Sequence, residues 1–147
     1  MLTSHATQAY RLVIIDDQPE FLQFAREELQ QSGAFNIVGE VTDGNDALAV
    51  IEKTQPDAVL VDIFMPGKNG LEIARRILAA FPSIVIVYLS VDNVMQYPTM
   101  REQLGDLTFV SKKWFSERYL LAIFTHYRRS GWKPPSWSHL EPSREPN

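Results

Sequence analysis

Residues 59–70 read Val59-Leu60-Val61-Asp62-Ile63-Phe64-Met65-Pro66-Gly67-Lys68-Asn69-Gly70. A short, β-branched apolar run that halts on a carboxylate and gives way to a Pro/Gly loop describes a buried strand ending at the rim of a sheet. In open parallel sheets, ligands bind in the crevice outside the carboxyl ends of the strands. Taken alone, Asp62 can also be read as a turn residue ahead of Met65-Pro66. Its meaning depends on what else the chain brings to the same edge.

On either side of this stretch the sequence alternates. Arg11–Ile15 is apolar and ends on Asp16-Asp17. Pro19 can open a helix that places Phe21, Leu22, Ala25 and Leu29 on one face and stops at Ser32-Gly33. Strand Phe35–Val41 leads through a Thr42-Asp43-Gly44-Asn45 turn to helix Asp46–Lys53, and Pro56-Asp57 leads into strand Ala58–Val61. Asn69 can cap a third helix whose stripe is Leu71, Ala74, Ile77, Leu78 and Phe81, with Pro82 ending it. Ile84–Leu89 and Leu107–Ser111 are the fourth and fifth strands, ending on Ser90 and Lys112. Ser116 caps a last helix with Leu120, Ile123, Phe124 and Tyr127 inward. Between them, Pro98 fits the first turn of a short helix, Pro98–Leu104, after a long loop. Strand and helix in strict alternation predict an α/β fold, (βα)5, a doubly wound parallel sheet of five strands with helices on both faces.

Length and composition fit one such unit. The 147 residues divide into a leader (1–10), a globular domain (11–130) and a tail (131–147) carrying four prolines in its seventeen residues, expected to be extended or disordered. The 45% hydrophobic content suffices for a core, and the absence of cysteine excludes disulfides and thiolate metal sites. No stretch has signal-peptide character or approaches the ~18 apolar residues of a membrane span, so the expected compartment is the cytoplasm, with no membrane partner. A net charge of −4 without a cluster of Lys and Arg argues against direct nucleic-acid binding.

If the sheet is parallel, Asp16, Asp17, Asp62, Ser90 and Lys112 all arrive at one edge. Three close carboxylates repel and raise one another's pKa unless a cation compensates. Mg²⁺ is bound in this way, by one or two carboxylates with phosphate and water oxygens. A lysine adds a compact positive charge and a serine adds a hydroxyl. These are the parts needed to hold a phosphoryl group, whose transfer depends on positioning and charge neutralisation. Individually each residue has a plainer explanation. Asp16-Asp17 can be acids favoured at a helix start, Ser90 a cap, Lys112 a surface charge and Phe109 simply core. His5, His126 and His139 have no ligand spacing, and Gly67–Gly70 lacks the spacing of a phosphate loop.

Asp16-Asp17, Asp62 with Met65-Pro66 and Asn69-Gly70, Ser90 and Lys112 together resemble the receiver domain of bacterial two-component response regulators, a flavodoxin-like fold, over about residues 11–129. The wording Leu89-Ser90-Val91-Asp92-Asn93 and Phe109–Lys113 is most similar to receivers of LuxR-type transcription regulators. The resemblance implies that Asp62 is the phosphorylated residue and that Mg²⁺ is held by Asp17, Asp16, Asp62 and the carbonyl of Phe64. It further implies that Ser90 bonds the phosphoryl group, that Lys112 pairs with Asp62 and then with the phosphoryl, and that Phe109 is the switch aromatic.

The implied partners are a sensor histidine kinase or histidine phosphotransfer protein, an output protein, and a second copy of the chain as an option. The implied role is signal transduction without enzymatic turnover beyond self-phosphorylation and slow autodephosphorylation. The chain departs from the family pattern at Lys113, where proline is usual and a trans bond with a shifted loop is expected. It departs also at Asp106 and Val91, while Phe64 and Asp92 occupy positions tied in the family to phosphoryl lifetime. The departures at Asp106 and Lys113, with the late helix at Pro98, motivate one alternative, a binding module of the same fold that does not use phosphorylation. A second is the receiver fragment of a DNA-binding regulator. A third, a hydrolase with an aspartate nucleophile, would want an acid where Phe64 stands.

Overall fold

The computed structural model describes residues 9–65, 68–91 and 108–130. The expected tail, the leader up to residue 8, the expected helix Pro98–Leu104, and Pro66, Gly67, Asp92, Asp106 and Leu107 lie outside the described residues. Among those described, the order is β1 (Tyr10–Ile15), α1 (Pro19–Leu29), β2 (Phe35–Val41), α2 (Ala47–Thr54), β3 (Ala58–Asp62), α3 (Gly70–Ala80), β4 (Val85–Ser90), β5 (Thr108–Ser111) and α4 (Glu117–Ser130). The five strands form one sheet in the order β2-β1-β3-β4-β5, every neighbouring pair parallel. All carboxyl ends therefore share one edge, as the alternation predicts.

The strands read as continuous apolar runs because both faces of the sheet are covered. One layer, with α1 and α4, gathers Leu12, Ile14, Leu22, Ala25, Leu60, Val87, Val110 and Phe124; the other, with α2 and α3, gathers Val13, Ile15, Ile51, Val61, Tyr88, Ile77 and Phe109. Along β1 the alternation Leu12/Val13/Ile14/Ile15 sends successive side chains to opposite layers, the period-two rule of a strand.

Several boundaries shift for local reasons. Tyr10 belongs to β1 and not to the leader: it pairs with Phe35 and packs edge-on against Phe124 at 4.8 Å between ring centres. α1 stops at Leu29 and leaves Ser32-Gly33 in the turn, where Gly33 takes φ +78°. β3 includes Asp62, which pairs with Leu89. Asp43 accepts from the Asn45 N–H and opens a short 3₁₀ turn ahead of α2. Asn69 caps α3 as expected, its side chain accepting from the Leu71 N–H at 2.9 Å, and the Ser116 hydroxyl accepts from the Tyr119 N–H at the head of α4.

Candidate phosphoryl and metal site

The chain that leaves β3 is folded back tightly. Phe64–Met65 and Lys68–Asn69 pair as a two-residue antiparallel ladder, a feature absent from the sequence reading. The Gly70 N–H then donates to the Ile63 carbonyl at 3.1 Å, and the Ile63 N–H donates across to Leu89 at 2.9 Å. A Cβ on Gly70 would run into the Asp62 carbonyl oxygen and lie 2.8 Å from Ile63 Cα. Glycine is required there because backbone meets backbone, so the head of α3 presses directly on the strand end that carries Asp62.

Asp16, Asp17 and Asp62 do converge: each offers a carboxylate oxygen within 4.8 Å of the others. Asp16 is fully buried and Asp62 is 4% exposed. The Asp16 N–H donates to Val41, its Oδ1 accepts from the Gln18 N–H at 2.9 Å, and its Oδ2 lies 2.6 Å from Lys112 Nζ. Asp62 Oδ1 accepts from the Phe64 N–H at 3.1 Å, and Oδ2 accepts from Lys112 Nζ at 3.2 Å. Burial pushes the Asp62 carboxyl above its ordinary value of 3.8, and Asp16 adds to the shift, while Lys112 and the Phe64 N–H oppose it. The buried Asp17 Oδ1 has no hydrogen-bond partner. A buried anionic oxygen left unpaired beside two further acids is a donor set suited to a hard cation, so the residues present fit a divalent metal.

Ser90 is fully buried at the same edge, one residue beyond Leu89, the register partner of Asp62. Phe109 is buried in the α2/α3 layer, paired in register with Tyr88. Phe64 is about half exposed, as is Val91. The Lys112–Lys113 bond is trans, as expected, and the chain makes a 3₁₀ turn over Lys112–Trp114.

Two residues at the site were not singled out from the sequence. Gln18 Oε1 accepts from Lys112 Nζ at 3.0 Å, and the Phe21 ring lies 4.7 Å from the same nitrogen. Periodicity placed Phe21 only in the buried stripe of α1, and nothing in the local sequence signals that Gln18 meets a residue 94 positions away.

A parallel sheet with three acids, a hydroxyl and a lysine at its carboxyl edge has the parts needed to hold a phosphoryl group. The family model of the response regulator receiver domain matches residues 12–124. The chain therefore belongs to the response regulator receiver domain family of two-component systems. It is 29% identical over 113 residues to the transcriptional regulatory protein DegU of Brevibacillus brevis, covering 77% of this chain and 48% of that protein. The chain thus spans about half the length of this curated relative. Among solved structures it resembles the receiver domain of RcsB from Salmonella enterica serovar Typhimurium, solved with the phosphomimetic BeF3- (TM-score 0.69, 25% identity, 90% of this chain and 99% of that one). It also resembles the receiver domain of the response regulator NarL from Mycobacterium tuberculosis (TM-score 0.69, 27% identity, 83% of this chain and 98% of that one). Among the described residues no helix is long and apolar enough to cross a membrane.

Proposed function

We propose that this receiver, residues 11–130, accepts a phosphoryl group on Asp62 from a phosphohistidine of a sensor histidine kinase or histidine phosphotransfer protein in the cytoplasm. The observation that carries the reading is the buried Asp62 carboxylate, held at 3.2 Å by Lys112 with Asp16 and Asp17 beside it. The DegU and RcsB likenesses support it, the latter protein having been solved with a phosphomimetic.

In the step itself a carboxylate oxygen of Asp62 forms the new P–O bond, the P–N bond breaks, and the electron pair leaves on the imidazole nitrogen. The Phe64 N–H and Lys112 fix the carboxylate for attack. Afterwards Lys112 and the Ser90 hydroxyl hold the phosphoryl oxygens. Asp16, Asp17, Asp62 and the Phe64 carbonyl would hold Mg²⁺, which supplies neutralisation of the phosphoryl charge. The modification adds up to about two negative charges in a buried setting. Ser90, at the end of β4, and Phe109, in β5, carry that change to a protein-binding surface and so to an output protein or a second copy of the chain. The chain acts as a switch, with no turnover beyond its own phosphorylation and slow dephosphorylation.

A second reading, in which the receiver governs a joined DNA-binding segment, is favoured by the likeness to DegU, which is named as a transcriptional regulatory protein.

The test is intact mass after incubation with Mg²⁺ and a small acyl-phosphate donor. One added phosphoryl group is expected in the parent and none in Asp62→Asn. An unmodified parent would refute the phosphoacceptor reading, and a modified Asp62→Asn would refute the site.

A further inference from the structure

The Lys112 ammonium is confined more closely than a pairing with Asp62 requires. Its side chain is 7% exposed, and three oxygens surround the nitrogen: Asp16 Oδ2 at 2.6 Å, Gln18 Oε1 at 3.0 Å and Asp62 Oδ2 at 3.2 Å. The Gln18 and Asp62 oxygens accept hydrogen bonds from the ammonium, whereas the Asp16 oxygen pairs with it by charge without a hydrogen bond. Two oxygens come from acids and one from a neutral amide. The Phe21 ring lies 4.7 Å from the same nitrogen, where the ring quadrupole favours a cation.

Gln18 is fixed in turn, because its own N–H donates to Asp16 Oδ1 at 2.9 Å and Pro19 follows it at the start of α1. The amide therefore holds the lysine from the α1 side, while its own backbone is tied to one of the acids. We propose that Gln18 is a positioning residue for Lys112: its amide oxygen accepts from the ammonium alongside Asp62 Oδ2 and keeps the nitrogen aimed at the Asp62 carboxylate. Among the described residues the Gln18 side chain hydrogen-bonds Lys112 and not the Asp62 carboxylate, so its effect on Asp62 runs through Lys112. The inference rests on the phosphoacceptor reading for its effect on rate, but not for the contact itself.

Gln18→Met keeps the length of the side chain and the backbone N–H to Asp16 while removing the acceptor. With the small acyl-phosphate donor and Mg²⁺, this variant is expected to be phosphorylated about fivefold more slowly than the parent, the size of one charge-assisted contact on a partly exposed group. In a Lys112→Ala background, itself slowed, the same substitution is expected to change nothing, because the residue it acts through is gone. An unchanged rate in the single variant, or an equal slowing in both backgrounds, overturns the proposal.

A second measurement needs no phosphoryl donor. In ¹⁵N-lysine spectra of the full chain, exchange of the Lys112 ammonium hydrogens with water should be about fivefold faster in Gln18→Met. Unchanged exchange overturns the contact. A parent that takes up no phosphoryl group refutes the proposed function instead, and the exchange measurement still decides Gln18.

Discussion

Replacing Lys112 with methionine keeps most of the apolar stem and removes the charge that balances the acids. At an effective dielectric of about 20, the Asp16 pair at 2.6 Å and the Asp62 pair at 3.2 Å correspond to about 6 and about 5 kcal/mol of raw attraction. Much of that is offset in the parent by the cost of taking the charges out of water, so the sum is not the stability lost. What decides the outcome is the state left behind, in which buried carboxylates have no cation. Breaking one side of a buried pair costs about 3–5 kcal/mol.

The low end applies to Lys112→Met, because the lysine side chain is not wholly cut off from water, which can reach the carboxylates it leaves behind. A loss of about 3 kcal/mol with a urea slope of about 2 kcal/mol/M lowers the unfolding midpoint by about 1.5 M. The assay is urea unfolding followed by circular dichroism at pH 7 in a chelator, repeated with Mg²⁺ and in an Asp62→Asn background. Mg²⁺ should restore part of the loss, and Asp62→Asn should shrink it, since one of the stranded charges is then absent. A midpoint within about 0.3 M of the parent in chelator, or a full loss in the Asp62→Asn background, refutes the charge argument.

Two further outcomes follow from the same geometry. The Asp62 pKa is raised on folding, so the folded state favours the protonated acid; relative to Asp62→Asn, the parent loses stability as pH climbs from 3.8 through the raised folded value, and the gap is constant above it. Urea midpoints from pH 3.5 upward, in chelator, read this, and a gap that does not change with pH contradicts it. Gly70→Ala forces a Cβ onto the Asp62 carbonyl, where no flexible side chain can yield. A loss of about 2 kcal/mol, or about 8 °C in Tm, is expected from thermal unfolding, and a change under about 2 °C would show that the head of α3 shifts at little cost.

The fold was legible because its signals are local and repeated. β1, β3 and β4 are apolar runs covered on both faces, and the helices between them carry stripes bounded by Pro19, Asn69 and Pro82. Parallel order then placed Asp16, Asp17, Asp62, Ser90 and Lys112 on one edge without further information, and the carboxylates do meet there. What the sequence did not disclose depends on contacts between distant segments. Gln18 looks like any polar residue before a helix; only the sheet order brings Lys112 to it. The Phe64–Met65 ladder depends on a loop that doubles back within a few residues, where Pro/Gly composition indicates a turn but not a pairing. Past the end of α1, the Glu117 carboxylate at the head of α4 accepts from both the Ser32 N–H and its hydroxyl, a contact across 85 positions that the local sequence does not signal.

The separation of Lys112 from its partners also bears on how the protein is made. Lys112 follows Asp62 by 50 residues. A ribosome adding about 5–20 residues per second takes about 3–10 seconds to cover that interval. Asp16, Asp17 and Asp62 are all made before the lysine that pairs with two of them. Until it arrives, the arrangement of the acids around one cation is incomplete. Refolding rates of the full chain with and without a chelator measure whether a dissolved cation can stand in for that lysine while the acids come together.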